Sequence, residues 1–481
     1  DSTQIGNWNS NIYDGKVHEG FYTQEEIKEI IDYAAKRQIT IVPEIEMPGH
    51  ATAALAAYPY LGCVGKDYKV TTLYGIQEDA FCAGKDSTFG FLEDVLSEVI
   101  DLFPSEYIHI GGDEAGKASW SSCKLCQARM KKEGLKDVNE LQSYLIHRIE
   151  VFLNGHSRKL LGWDEILEGG LAPNATVMSW RGTEGGMKAV ESGHKAIMTP
   201  GEFCYFDSYQ DAPDSQPEAI GGYLPLSKVY SFNPVPDTLS AEKVGLVYGV
   251  QANLFTEYIP TPEHAEMMIY PRVLALAEVA WSAPSKKNYE NFHVRALKAV
   301  EELKKSGYNP FELKNEIGNR PGADKPVEHL AVGKKVTYGL DAAYYPGYAA
   351  GGDTALVDGV RGGWTYGDKR WQGFIDKKRM DITIDLEKET ELHFIGADFM
   401  QVCGPEVFMP AEVIISISDD GKDFTELKHI EHKVVKDDKV TFTNFGWEGN
   451  AKGRYVRYQA TSGEFGGCLL YTSDAADDLT R

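Results

Sequence analysis

The stretch Tyr107-Ile108-His109-Ile110-Gly111-Gly112-Asp113-Glu114 sets an apolar, β-branched run against two glycines and two adjacent carboxylates. Along a strand successive side chains point to opposite faces, so Asp113 and Glu114 reach one cleft only where the ladder has ended. Gly111 and Gly112 supply the irregular backbone that this requires. An isolated Asp-Glu pair reads as a solvated acidic turn or a helix cap. Here the flanking sequence points elsewhere.

Similar runs recur on both sides, at Ile39 to Met47, Tyr107 to Gly112, Lys159 to Trp163, Thr176 to Trp180, Lys195 to Thr199 and Leu246 to Leu254. Helical patterns separate them, at Ser87 to Phe103, Asp137 to Asn154 and Pro262 to Ala280, and Thr23 to Arg37 opens on a Thr23/Glu26 capping box ahead of the first run. This βα alternation predicts a parallel sheet closed as a TIM barrel, whose chemistry sits at the carboxyl ends of the strands. Those ends carry Glu44, Glu46 and His50, then Asp113-Glu114, Trp163-Asp164-Glu165, Trp180-Arg181, Tyr205-Phe206-Asp207 and Phe255-Thr256-Glu257. Carboxylates and aromatic rings on one rim suit a sugar: ring faces stack on the pyranose, carboxylates bind hydroxyls, and an acid protonates the leaving oxygen. Core packing is the commoner fate of a tryptophan, but Trp163 and Trp180 both fall at strand ends.

Val42-Pro43-Glu44-Ile45-Glu46-Met47-Pro48-Gly49-His50, His109-Ile110-Gly111-Gly112-Asp113-Glu114, Gly162-Trp163-Asp164-Glu165 and Tyr205-Phe206-Asp207 together resemble the motifs of family 20 glycoside hydrolases, the β-N-acetylhexosaminidases. The resemblance implies a retaining, exo-acting enzyme that removes terminal β-linked N-acetylglucosamine or N-acetylgalactosamine without a cofactor. The substrate's own 2-acetamido oxygen then attacks the anomeric carbon through an oxazolinium intermediate. Glu114 matches the general acid and base, and Asp113 the carboxylate that orients the acetamido group. Tyr205 matches the donor to the acetamido oxygen, and His50 the histidine behind the acid. Trp163 and Trp180 match the walls around the acetyl methyl, and Asp207 and Glu257 the ligands of sugar hydroxyls. Glu46 stands where the family usually has Asp, and Phe255 where it usually has Trp, which removes an indole donor.

Residues Asp1 to Gly20 are polar and read as loop. The six runs therefore match strands three to eight of such a barrel, and the first two are expected to be missing. The second-strand aspartate that partners the histidine and an arginine for the outer sugar hydroxyls would be missing with them. Such a chain should have little activity by itself, because two strand edges would lie unpaired.

The barrel part is assigned to residues 1–308 and a Pro/Gly-punctuated connector to 309–328. Short alternating runs at Lys335 to Tyr338, Met380 to Leu386, Glu391 to Phe399, Ala411 to Ser418, Lys439 to Thr443 and Arg454 to Ala460 predict an all-β sandwich over 329–467. Leu356-Val357-Asp358-Gly359, Trp371-Gln372-Gly373-Phe374 and Ile415-Ser416-Ile417-Ser418-Asp419-Asp420-Gly421, with Arg454 to Tyr458, resemble a discoidin-type jelly roll. Modules of that kind often bind carbohydrate, and some hold a structural calcium near an Asp-Gly loop. Residues 468–481 continue no strand pattern and are expected to be a disordered, non-native tail.

A net charge of −23 leaves no basic stripe for nucleic acid, and no apolar run is long enough to span a bilayer. The charge says nothing of oligomeric state. Seven cysteines are too few for a disulfide scaffold. The family resemblance suggests a Cys63–Cys82 disulfide, and with it a periplasmic or secreted location. Cys123-x-x-Cys126 finds no second cysteine or histidine pair at zinc spacing, so a structural role is expected there. Two rival functions stay open. An ordinary retaining β-glycosidase would use Glu165 as nucleophile, and a non-catalytic carbohydrate-binding protein would use the sandwich.

Overall fold

The structure is a computed structural model describing residues 4–5, 12–13, 15–17 and 19–472, apart from 66, 74, 237, 324, 340–343, 376–378, 437–438 and 464–467. At the amino end, β1 (Gln4–Ile5) and β2 (Ile12–Tyr13) pair antiparallel, where a loop was expected. The helix Gln24–Ala35 then begins as its capping box requires. Glu26 Oε2 accepts from the Thr23 N–H at 2.7 Å, and Thr23 Oγ1 from the Glu26 N–H at 3.2 Å.

The central sheet is parallel, in the order β3 (Tyr107–His109), β4 (Lys159–Trp163), β5 (Thr176–Ser179), β6 (Ala196–Met198) and β7 (Val247–Val250). The predicted run Ile39 to Met47 is not a full strand, yet Pro43 to Met47 lies beside β3. The Ile45 N–H donates to His109 O at 2.9 Å, His109 N–H to Pro43 O at 2.9 Å, and Met47 N–H to Ile110 O at 3.0 Å. Its other edge has no strand beside it among the described residues, and Ile39 and Val42 stay exposed. The sheet is thus an open arc of six runs.

Helix Val138–Gly155 covers the arc's outer face, burying Leu141, Leu145, Ile149 and Leu153, one per turn, in the core that holds Ile108, Leu160 and Val177. Asp137 caps it, accepting from the Asn139 and Glu140 N–H groups. The single helix expected over Pro262 to Ala280 is two, Pro262–Ile269 and Arg272–Trp281. Pro271 lies between them and cannot donate to a continuous helix.

The second unit is all-β: β8 (Lys335–Tyr338), β9 (Gln372–Ile375), β10 (Arg379–Gln401), β11 (Pro410–Ser418), β12 (Thr425–Glu431), β13 (Thr441–Ser462) and β14 (Cys468–Thr472). They pair antiparallel in the order β12-β11-β13-β10-β14-β9, with β8 on β10. Period-two burial of Met380, Ile382, Ile384 and Leu386 and of Val456, Tyr458 and Ala460 builds its core. The runs expected as separate strands at 380–386 and 391–399 are one strand, with a register shift between Asp385 and Thr390, and β13 likewise joins two predicted pieces. Residues 468–472 pair with β9 and β10, which corrects the expectation of a disordered tail there; 473–481 lie outside the described residues.

The connector is pinned on both sides. Asp211 accepts from the Ile317 and Gly318 N–H groups at 2.8 and 2.9 Å, and the Trp364 indole donates to Gly318 O at 2.8 Å. Arg320 pairs with Asp398 at 2.5 Å. Cys63 and Cys82, expected to be bridged, are free cysteines, and both converge with Cys123 and Cys126.

Candidate active site

Where β3 ends, Gly111 and Gly112 take left-handed backbones at φ 68° and 96°. A Cβ on Gly111 would lie 1.9 Å from Glu46 Oε1, so only glycine lets that carboxyl pass beneath the turn. The Gly112 N–H donates to the same oxygen at 3.1 Å. The turn carries Asp113 and Glu114 toward His50, whose Nε2 lies 3.5 Å from Asp113 Oδ2 and 3.4 Å from Glu114 Oε2.

These residues open onto a cavity of about 670 Å³. Its walls hold every site residue expected from the sequence: His50, Asp113, Glu114, Trp163, Trp180, Tyr205, Asp207, Phe255 and Glu257. The walls also include Glu44, Glu46, Ile76 and Tyr258. Trp180 stacks on Tyr205 with ring centres 6.2 Å apart, and Phe255 meets Tyr205 at 5.7 Å, forming a continuous aromatic side.

Both tryptophans are held by their indole N–H groups. Trp163 donates to Glu44 at 3.0 Å and Trp180 to Glu165 at 2.9 Å, which leaves the ring faces for the cavity. Glu165 also lies 3.7 Å from Arg181, whose Nε donates to Asp164 at 2.7 Å. Glu165 is buried and outside the cavity wall. The roles of Glu44 and Glu165 as indole acceptors were not read from the sequence, since a contact between strand ends has no local signature.

The electrostatics divide the carboxyls. Burial, reinforced by the Asp113 charge, raises the pKa of Glu114. The hydrogen bond to Asp113 raises that of His50 despite burial. Burial pushes Glu46 up to about 10, with Asp113 and Glu44 adding to it, so Glu46 is a neutral acid at pH 7. Asp207 is likewise pushed by burial up to about 7, and burial raises Tyr205, keeping its phenol a donor. One oxygen of Asp113 and one of Asp207 are buried without a hydrogen-bond partner. Buried acceptors are rarely left so, and both carboxylates front the cavity.

Beneath Asp207 lies a fully buried Arg272, which donates to the carbonyls of Ser208, Leu224 and Met268 at 2.9, 3.1 and 3.0 Å and also to Phe206. It fixes the loop that carries Tyr205 and Asp207. The sequence signal for it is an arginine inside an apolar helix pattern.

Residues 2–284 match the glycosyl hydrolase family 20 catalytic domain and residues 341–472 the F5/8 type C domain. A β-hexosaminidase of Porphyromonas gingivalis is 52% identical over 297 residues, covering 62% of this chain and 38% of that protein. One from Vibrio furnissii is 36% identical, covering 54% and 43%. Thus the chain spans less than half the length of either relative. The solved β-N-acetylhexosaminidase of Bacteroides fragilis superposes with a TM-score of 0.53 at 36% identity, over 61% of this chain and 58% of that one. The Vibrio harveyi exo-β-N-acetylglucosaminidase in complex with N-acetylglucosamine gives 0.56 at 31%, over 62% and 47%. With a turn built from two glycines, an acid pair on a histidine and an aromatic-walled cavity all in place, the chain belongs to glycosyl hydrolase family 20.

Proposed function

We propose that this protein is an exo-acting β-N-acetylhexosaminidase, the activity its relatives are named for, and that it works with retention by substrate-assisted catalysis. Glu114 donates the proton to the leaving oxygen and then takes one from water. Its raised pKa supports that task, because an acid must still hold its proton near neutral pH. Asp113 accepts the acetamido N–H on its unpartnered oxygen and steadies the positive charge that develops as the oxazolinium ring forms. Tyr205 donates to the acetamido oxygen, Trp163, Trp180 and Phe255 enclose the acetyl methyl, and Asp207 and Glu257 bind outer hydroxyls. His50 holds the acid pair.

The observation that carries this reading is the placement of Glu165. An ordinary retaining enzyme needs a second carboxylate about 5 Å from the acid on the same cleft. The carboxylate offered for that role from the sequence is bound to the Trp180 indole and outside the cavity. That removes Glu165 as the nucleophile of an ordinary retaining enzyme and favours the acetamido oxygen in that role.

We also propose that the six runs are strands three to eight of an eight-stranded barrel. The apolar Ile39 and Val42 on one edge of the arc and Tyr248 on the other are exposed, which supports further strands there. In the β-sandwich, the Asp358 and Asp420 carboxylates accept turn N–H groups at 2.7 and 2.8 Å, which favours turn-making over calcium binding. Carbohydrate as its ligand rests on the discoidin resemblance alone.

The decisive comparison uses a form with a closed barrel. It should hydrolyse a chromogenic β-N-acetylglucosaminide and leave the matching β-glucoside intact, and a thiazoline mimic of the cyclic intermediate should inhibit it. Equal hydrolysis of both sugars would reject the neighbouring-group mechanism.

A further inference from the structure

Away from the cavity, four cysteine sulfurs converge. Cys63 and Cys82 flank a long loop, while Cys123 and Cys126 open the helix Lys124–Glu133. Each sulfur lies within 4.8 Å of the other three. Cys63 to Cys126 measures 3.7 Å, Cys82 to Cys126 3.6 Å and Cys82 to Cys123 3.8 Å. A disulfide would bring two sulfurs to about 2.05 Å, so the cluster is not a pair of bridges. A tetrahedral zinc ion with bonds of about 2.3 Å sets its four sulfurs about 3.8 Å apart, which matches these three separations. We propose that Cys63, Cys82, Cys123 and Cys126 form a tetrathiolate site for a structural zinc ion.

The surrounding backbone is shaped for it. A Cβ on Gly84 would lie 2.3 Å from Cys126 N, so the Cys82-Ala83-Gly84 turn rests directly on the first turn of the helix. Four protein ligands close the coordination sphere, leaving no position for water or substrate, so the ion would brace the fold and take no part in the reaction.

What it braces is the catalytic rim. The Phe81 N–H, next to Cys82, donates to Pro48 O at 2.9 Å in the loop that leads to His50. The indole of Trp120, three residues before Cys123, donates to Phe81 O at 3.0 Å. A Cβ on Gly116 would lie 2.2 Å from Glu78 O, so the segment after Asp113-Glu114 packs on the same loop. The ion would therefore tie together the two turns that carry His50 and the acid pair. Metal-bound thiolates also remove the disulfide argument for an oxidising compartment.

Elemental analysis of the purified full chain tests this. Zinc should be present at one equivalent and should be released by a mercurial reagent that attacks thiolates. Cys123→Ser and Cys63→Ser should each lose the metal, whereas Cys204→Ser, at a buried cysteine remote from the cluster, should retain it. Should the ligand variants fail to fold, cobalt exchanged into the unaltered chain still reads out the site through thiolate-to-cobalt charge-transfer absorption. Disulfides among the four, iron in place of zinc, or four thiols that alkylate freely in the native chain would each overturn the assignment.

Discussion

Glu114 and His50 both hold left-handed backbones, at φ 46° each, which for side chains other than glycine costs on the order of 1–3 kcal/mol apiece. Two strained residues face each other across 3.4 Å, and the turn that strains Glu114 also aims it at the cavity. The role proposed for it as acid predicts that Glu114→Ala lowers kcat by about 10²–10⁴-fold and that azide restores turnover of an activated substrate by entering the space left free. Asp113→Asn should lower kcat without rescue, because azide cannot steady a cation from the acetamido side. Rescue of both variants would cancel the division of labour. Asp113→Asn should also move the basic limb of the rate profile to lower pH, since it removes a charge that, after burial, raises the pKa of Glu114. Beneath them, Glu46 is raised from 4.5 to about 10, chiefly by burial. The folded state then keeps a proton that the unfolded chain loses above about pH 4.5, so this group's contribution to stability is full in acid and drains away as pH rises toward 10. Glu46→Gln keeps an acceptor for the Gly112 N–H and removes the ionisation. It should be more stable than the parent at pH 8 by roughly 1–3 kcal/mol and indistinguishable at pH 4, as read by denaturant melts. An equal difference at both pH values would show that the carboxyl is ionised in the fold.

Strands and helices were legible where their signal is local. Capping at Thr23 and Asp137, one buried leucine or isoleucine per turn in Val138–Gly155, and the strand ends at Asp113, Trp163 and Trp180 all follow from spacing within one segment. Elements whose limits depend on partners were not. Pro43 to Met47 has the residues of a strand but, among the described residues, a neighbour on one side only, so its ladder stops at a few hydrogen bonds. The two long sandwich strands were cut into pieces because polar residues at bulges interrupt the alternation without ending the pairing. Residues 468–472 lack a pattern of their own, and two neighbouring strands supply one. The cysteines show the same limit in reverse. Spacing along the chain hides a pair formed by Cys63 and Cys82, which a long loop brings onto the adjacent pair at a helix start. Residues that line the cavity were read from motifs, and Glu44 and Glu165 lie inside those motifs, but their bonds to the Trp163 and Trp180 indoles, like those of Arg272 to the loop after Tyr205, form across the fold and leave no mark in sequence order.

Taken whole, the molecule places the cavity on an open arc of six runs among the described residues. The arc ends at Pro43 to Met47 on one side and β7 on the other, and apolar side chains lie exposed on both edges and on the flanking helix, including Ile30 and Tyr33. Exposed strand edges beside apolar surface invite pairing with any available strand. The catalytic turns hang on these edge runs: His50 follows the Pro43 to Met47 run directly, and Phe255 and Glu257 follow β7. Motion at the edges therefore reaches the acid pair, and a misplacement of about 1 Å at reacting groups costs about 10²-fold in rate. On the proposal that two barrel strands are wanting, adding a segment that supplies two strands between β7 and the Pro43 to Met47 run should convert the open arc into a ring. Turnover of a β-N-acetylglucosaminide should rise by about 10² or more over the chain as it stands, together with protection of the Pro43 to Met47 amides from hydrogen exchange. Equal turnover by the two forms would mean that the arc positions His50, Asp113 and Glu114 unaided and that the exposed edges carry no part of the site. Exchange protection without a gain in rate would locate the lost activity in a side chain supplied by the added strands and not in the rigidity of the ring.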